Sequence, residues 1–211
     1  MSCPLCHSTD KQLFYQDRLH EFWQCDQCFG LYRAATNILS AQEEKERYLT
    51  HNNDVNDKGY RNFVAPFVNH ITQNFTTEQT GLDYGAGTGP VAAVMLEEQG
   101  YAVKLYDPFF HPDPSPLKKP YDFIICCEVM EHFHQPDLEF AKLKSLLKPK
   151  GQLICKTDLY DGKLNFEKWY YKNDPTHVFI YHPKSLEFLA VQLDLDLSFI
   201  DHRTPVFTRL S

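Results

Sequence analysis

Leu82-Asp83-Tyr84-Gly85-Ala86-Gly87-Thr88-Gly89-Pro90 is the stretch on which the reading of this chain turns. A short apolar run enters it, three glycines cross it at alternate positions, and a helix-compatible run leaves it. Glycines let the backbone turn tightly and let a ligand come close to a helix N-terminus. Working outward, 81–84 predicts a strand and 91–99 a helix, with Pro90 at its first turn and Gly100 as its stop. A second strand is expected over 102–106. It delivers Asp107, 20 residues past Gly87, where an acid suits a bidentate grip on ribose hydroxyls.

Two residues narrow the nucleotide. The dinucleotide fingerprint needs a small residue at position 90, and Pro90 stands there. Asp83 puts a carboxylate where a pyrophosphate site would be apolar. S-adenosylmethionine, with a sulfonium and an ammonium group, fits both observations. The plainer alternative is a strand-turn-helix corner without a ligand.

Beyond the loop, strand and helix signals alternate. Strands are expected at 121–127, 152–156 and 178–181, helices at 138–147 and 185–193, and a closing hairpin at 195–200 and 206–210. This pattern implies an α/β fold, a doubly wound and mostly parallel sheet with an antiparallel strand at its end. Upstream, 36–78 reads as helical. Ser40 with Glu43 forms a capping box, 52–59 is a polar break, and Phe63, Phe67, Ile71 and Phe75 recur at helical spacing.

Composition bounds the class. Of the 211 residues 43% are hydrophobic and 23% charged, as in ordinary soluble proteins, and no run approaches the ~18 apolar residues of a membrane helix. Lys and Arg number 21 against 28 Asp and Glu, a net charge of −7, which disfavours nucleic acid as a partner. Met1-Ser2-Cys3-Pro4 lacks the layout of a signal peptide, so a cytoplasmic location with reduced thiols is expected.

Cys3 and Cys6, then 18 residues, then Cys25 and Cys28 match the spacing of a four-thiolate zinc site. A closed shell of four ligands makes such a zinc structural. The alternatives are two redox dithiols or unrelated thiols, with His7 available to replace a cysteine. Cys126, Cys127 and Cys155 lie in apolar runs. The organisation expected is a zinc ribbon at 1–35, a helical cap or linker at 36–78, and the α/β domain at 79–211.

With these motifs in view, the chain resembles the class I S-adenosylmethionine-dependent methyltransferases, and more narrowly the small-molecule branch that includes ubiquinone-biosynthesis methylases. The resemblance covers about 80–211. It rests on the glycine loop, on Asp107, and on Tyr121-Asp122-Phe123-Ile124-Ile125-Cys126-Cys127-Glu128-Val129-Met130-Glu131-His132. Leu147-Lys148-Pro149-Lys150-Gly151-Gln152-Leu153 and Asp174-Pro175-Thr176-His177-Val178 continue it. It implies that Gly85, Gly87 and Gly89 line the methionine part of the cofactor and that Asp83 organises the loop and approaches the ammonium group. It also implies that Asp107 binds the ribose, while Cys127 and Glu128 pass close to the sulfonium. One departure stands out. Only 14 residues separate Asp107 from Asp122, so the family's third strand and helix are cut short or missing, and the acid that often flanks adenine has no counterpart.

Methyl transfer is an in-line displacement that needs alignment first, and a base only when the acceptor holds a proton of high pKa. His132, just past a strand end, and His177, with Asp174 to orient it, are the candidate bases; each also reads as a structural histidine. Tyr160, Phe166, Trp169, Tyr170 and Tyr171 suggest either a substrate wall or an insertion packed on the N-terminal helices. The function expected is methylation of O, N or C on a small-molecule acceptor, under a cap made by the ribbon and helical segment. An RNA or protein acceptor with the ribbon as reader, or a cofactor-binding module without turnover, are the other readings.

Overall fold

The strand after the glycine loop's partner, Tyr121–Cys127 (β6), shows how the sheet is built. Its side chains alternate faces, so Phe123 and Ile125 join one apolar cluster while Ile124 and Cys126 join another, and every one of them is buried. A strand buried on both faces must sit in mid-sheet with helices on either side. The computed structural model describes residues 2–50 and 54–210, and places it so. Its strands and helices in chain order are β1 (Lys11–Gln16), β2 (Glu21–Cys25), β3 (Leu31–Arg33), α1 (Ala41–Tyr48), α2 (Lys58–Asn74), β4 (Thr80–Tyr84), α3 (Val91–Glu97), β5 (Ala102–Tyr106), β6, α4 (Pro136–Ser145), β7 (Leu147–Lys156), β8 (Phe179–Ile180), α5 (Pro183–Gln192), β9 (Leu195–Asp201) and β10 (Thr204–Arg209).

The larger sheet runs β5-β4-β6-β7-β10-β9. β5, β4, β6 and β7 are parallel, and β10 joins β7 antiparallel and pairs with β9 as a hairpin. The fold is the expected mixed α/β one with a mostly parallel sheet. Between Asp107 and β6 the one regular element is a 3-10 turn, Ser115–Lys118, and among the described residues no strand lies beyond β5. The missing third strand is therefore a property of the fold.

α2 and α3 cover one face. The predicted stripe is there, with Phe67 and Ile71 fully buried and Phe63 and Phe75 packed at its edge, beside Val64 and Val68. These side chains share a cluster with Val91, Leu96, Phe123 and Ile125, so the boundary expected near residue 78 falls inside one core. The physical reason is that an apolar helical stripe must lie on something, and the sheet is the surface available. Asp57 caps α2 through Tyr60 N, and the Ser40–Glu43 capping box opens α1 as predicted. Of the polar break, Asn52 and Asn53 lie outside the described residues. α4 and α5 cover the other face through Phe140, Leu143, Leu186 and Leu189.

A smaller sheet, β1-β2-β3-β8, carries the N-terminal segment. β1 and β2 form the hairpin that delivers the second cysteine pair, and β3 pairs with β8, Leu31 opposite Ile180 and Tyr32 opposite Phe179. The N-terminal segment thus completes its sheet with a strand from far along the chain. Cys3, Cys25 and Cys28 lie in the same apolar cluster as Leu82, Ile124 and Phe207 of the central sheet. The seam is close: a Cβ built on Gly30 would stand 2.2 Å from Cζ of Phe179.

Gly30→Ala should accordingly destabilise the whole chain by about 1–3 kcal/mol, the usual cost of forcing a methyl group into a packed site. Urea denaturation measures it. A variant as stable as the parent would mean that the seam has room to give.

Candidate functional site

The turn after β4 starts from two main-chain bonds, Gly85 N and Ala86 N donating to the carbonyl of Tyr106 at 2.8 and 3.1 Å. They force the chain into left-handed backbone, φ 80° at Gly85 and φ 59° at Gly87. A side chain at Gly85 would also strike Val129, whose Cγ2 would be 2.5 Å from its Cβ. At the end of the neighbouring β5, Asp107 ties this turn to its own loop. One carboxylate oxygen accepts Gly87 N at 3.0 Å and the other accepts Phe109 N and Phe110 N at 2.8 and 2.9 Å.

These segments enclose a cavity of about 600 Å³ at the carboxyl ends of β4, β5 and β6. Gly85, Gly87, Gly89, Asp107, Cys127, Glu128, His132 and His177 all line it, so eight of the nine residues proposed for the cofactor and the chemistry from sequence meet at one place. Asp83 is the exception. It is buried beneath the loop and is not part of the cavity wall. Burial, with the charge of Asp107 adding to it, pushes its carboxyl up to about 7. Glu128 sits at φ 53° at the end of β6, with its amide on Lys156 O at 2.8 Å. Burial, and next the charge of Glu131, push it up to about 9, against the pull of Arg203 at 3.6 Å.

His132 lies in a 3-10 turn, Met130–His132, directly after β6. Its Nδ1 donates to Thr176 O at 2.9 Å, and its ring stands 4.9 Å from that of His177. His177 Nδ1 donates to Tyr171 O at 2.8 Å. The expected side-chain link from Asp174 is not made. That carboxylate accepts instead from Thr176 Oγ1 at 2.6 Å and Arg47 at 2.6 Å. Burial holds His177 down to about 4, so its imidazole is neutral.

Other lining residues left no mark in the sequence. Glu44 and Tyr48 come from α1 and Tyr60 from α2. Glu131 was part of a recognised motif without a role of its own; it is fully buried and accepts Tyr171 OH at 2.6 Å and Thr157 Oγ1 at 3.0 Å. A run of buried apolar residues interrupted by an acid is the signal that marks it.

The aromatic segment is neither a substrate wall nor packed on the N-terminal helices; it packs on the N-terminal strands. Tyr160, Phe166, Trp169 and Tyr171 pack with Phe22, Leu31 and Ile180, and Phe14 meets Tyr160 and Phe166 at 5.5 and 5.0 Å. The apolar undersides of β1 and β2 have no helix to cover them and take the aromatics instead. The four cysteines form a separate cluster. Cys3 Sγ and Cys28 Sγ are 3.6 Å apart, Cys6 Sγ and Cys25 Sγ 3.3 Å, and all four sulfurs lie within 4.8 Å of one another. His7 is not among them; its Nε2 meets Asp137 at 2.8 Å.

No helix among the described residues is long and apolar enough to cross a membrane. A family model described as a methyltransferase domain matches residues 56–197. No curated protein matches the sequence. Solved structures share the fold. An O-methyltransferase family protein from Burkholderia thailandensis superposes with a TM-score of 0.53 at 13% identity, covering 80% of this chain and 63% of that one. Human N-acetylserotonin methyltransferase in complex with SAM gives 0.54 at 13% identity, covering 82% and 57%. Phosphoethanolamine N-methyltransferase 2 of Haemonchus contortus, in complex with phosphomonomethylethanolamine and S-adenosylhomocysteine, gives 0.54 at 16% identity, covering 74% and 42%. The chain thus spans between 42% and 63% of the length of these three proteins.

The state of Asp83 makes stability depend on pH. Its native pKa, about 7, lies above the ordinary 3.8, so the folded chain holds the proton through a window in which the unfolded chain has lost it. Stability should fall as pH rises through that window, by up to about 1.4 kcal/mol per pH unit. Asp83→Asn should flatten this dependence in denaturation curves taken from pH 5 to 8; an unchanged slope would mean that Asp83 is ionised in the fold.

Proposed function

Because the chain belongs to the methyltransferase-domain family, we propose that it methylates a small molecule at O, N or C, using S-adenosylmethionine bound in the cavity above β4, β5 and β6. The observation that carries this reading is the pairing of the glycine turn with Asp107, whose carboxylate spans the turn and the Phe109–Phe110 backbone. A carboxylate has about four acceptor positions and the backbone takes three, so the oxygen that meets Gly87 N can accept a ribose hydroxyl while those bonds are kept. Gly85, Gly87 and Gly89 give the methionine moiety a wall without side chains, and Phe109 and Phe110 offer the adenine an apolar flank in place of the absent third strand. Asp83 lies beneath the turn with its carboxyl held protonated by burial, and the positive charge of a bound ammonium group would favour its ionised form. When bound, the cofactor supplies an electrophilic methyl group on a sulfonium.

What the chain's own residues do is position and dehydrate. Tyr48, Tyr60, His132 and His177 enclose the space beside Cys127 and Glu128, on the sulfonium side. Charge on the wall argues for a small acceptor over a nucleic acid: Glu44, Asp107 and Glu139 face the cavity with Lys142. The resemblance to the ubiquinone-biosynthesis branch is consistent with such an acceptor.

The cysteine cluster fits zinc. A tetrahedral ion with Zn–S bonds of about 2.3 Å sets its sulfurs ~3.8 Å apart, and the two close pairs here are at 3.6 and 3.3 Å. Cys3, Cys6, Cys25 and Cys28 would hold it in a closed shell, making the N-terminal segment a zinc ribbon whose role is structural.

Calorimetry with S-adenosylhomocysteine tests the cofactor reading. Asp107→Ala should weaken binding by about ten- to hundredfold, the cost of a lost charged hydrogen-bond acceptor. No binding by the parent chain, or unchanged affinity in the variant, would overturn it. For the ribbon, Cys25→Ser should lose one zinc per chain and lower the melting temperature of the whole protein, since the sulfurs share a cluster with the central sheet. An intact melting curve in zinc-free protein would sink the structural role.

A further inference from the structure

Glu131, His132 and His177 present an arrangement that the methyl-transfer reading does not use. Each histidine is held by a main-chain carbonyl on the same side of its ring, Thr176 O on Nδ1 of His132 and Tyr171 O on Nδ1 of His177, at 2.9 and 2.8 Å. A carbonyl can only accept, so Nδ1 carries a hydrogen in both rings, and in the neutral imidazole Nε2 is left as the acceptor and metal-ligating atom. Glu131, beside them, accepts a hydroxyl on each oxygen, from Tyr171 and Thr157, and lies fully out of water. Its Oε1 faces His177 Nε2 at 4.0 Å, too far for a hydrogen bond and with no hydrogen left to share. Three side chains of metal-ligating type, brought this close together and away from water, offer a place for a cation.

We propose that Glu131, His132 and His177 bind a divalent first-row metal ion on the floor of the cavity. Their ligand atoms lie within 4.8 Å of one another. Such an ion holds nitrogen and oxygen at ~2.1 Å, so donor atoms this near one another can share one. Two imidazoles and one carboxylate suit an ion of the zinc class better than magnesium or calcium, which prefer all-oxygen shells. The surroundings are those of a metal site, since the carbonyls and hydroxyls that fix the ligands are the outer contacts such sites need. Three protein donors leave coordination positions open, and His132 and His177 line the cavity, so those positions face the acceptor. On the reading given above, the ion would take an oxygen of the acceptor and lower its pKa, which narrows the acceptor to one bearing a hydroxyl or carboxylate beside the methylated atom.

Equilibrium dialysis of the full chain against buffered zinc, followed by metal analysis, tests the site. His132→Ala, His177→Ala and Glu131→Gln should each hold one zinc fewer per chain than the parent. Cys25→Ser, tested beside them, should lose a different ion. Melting curves establish which variants fold, and His132→Ala, the least buried of the three, carries the test if the others do not. Equal zinc content in parent and folded variants would overturn the proposal. S-adenosylhomocysteine calorimetry on the same samples separates the two readings. Cofactor binding without the extra zinc defeats the metal site alone, and the extra zinc without cofactor binding sustains the metal site while defeating the methyltransferase reading.

Discussion

The Arg33 guanidinium holds the two sheets of this protein in one arrangement. It sits on β3, buried, and donates to the carbonyls of Lys172, Asp174 and His177 at 2.7, 2.7 and 2.9 Å, with the ring of Phe22 4.8 Å from its centre. A buried charge needs hydrogen-bonding partners in fixed positions, and the turn before β8 supplies three. The carbonyls of Tyr171 and Thr176 in the same turn meet His177 and His132. One short segment is thus held from below by the N-terminal sheet, and from above it orients both histidines of the cavity. Removal from water pulls Arg33 down to about 10, which still leaves it charged at neutral pH.

Asp107 plays the matching part on the other side of the cavity. A carboxylate taken out of water is stable there because three backbone N–H groups point at it, two from its own loop and one from the glycine turn. The segment after it runs to β6 through a single 3-10 turn, and its Phe109 and Phe110 occupy the cavity wall. A shortened connection brings its own aromatic residues to the place where a longer one would have contributed a strand.

The N-terminal segment is polar and short, and a chain of that kind buries too little surface to fold alone. Here it borrows. It takes β8 as its fourth strand, Tyr160, Phe166, Trp169 and Tyr171 as its apolar floor, and the edge of the central core for its cysteines. These contacts explain why aromatics that follow a strand end are turned away from the cavity. Phe14, Tyr15 and Phe22 offer them edge-to-face partners that a solvent-filled pocket would not.

Much of the central sheet was legible in the sequence, because each element carries its own signal. The strand at 121–127, the stripe of Phe67 and Ile71, the Ser40–Glu43 box and the glycine turn are all local patterns read within a few residues. The cavity's strand-end residues were legible for the same reason, since topology alone carries Gly85, Asp107, Cys127 and His132 to one end of the sheet. The pairing of β3 with β8, the grip of Arg33 on residues more than 130 positions away, and the entry of Tyr48 and Tyr60 into the wall had no such signal. Nor did the convergence of Glu131 with the two histidines. Those contacts exist only once separate segments are packed, because what places them is the need of buried polar groups and apolar faces for partners. Local sequence states that need without naming who meets it.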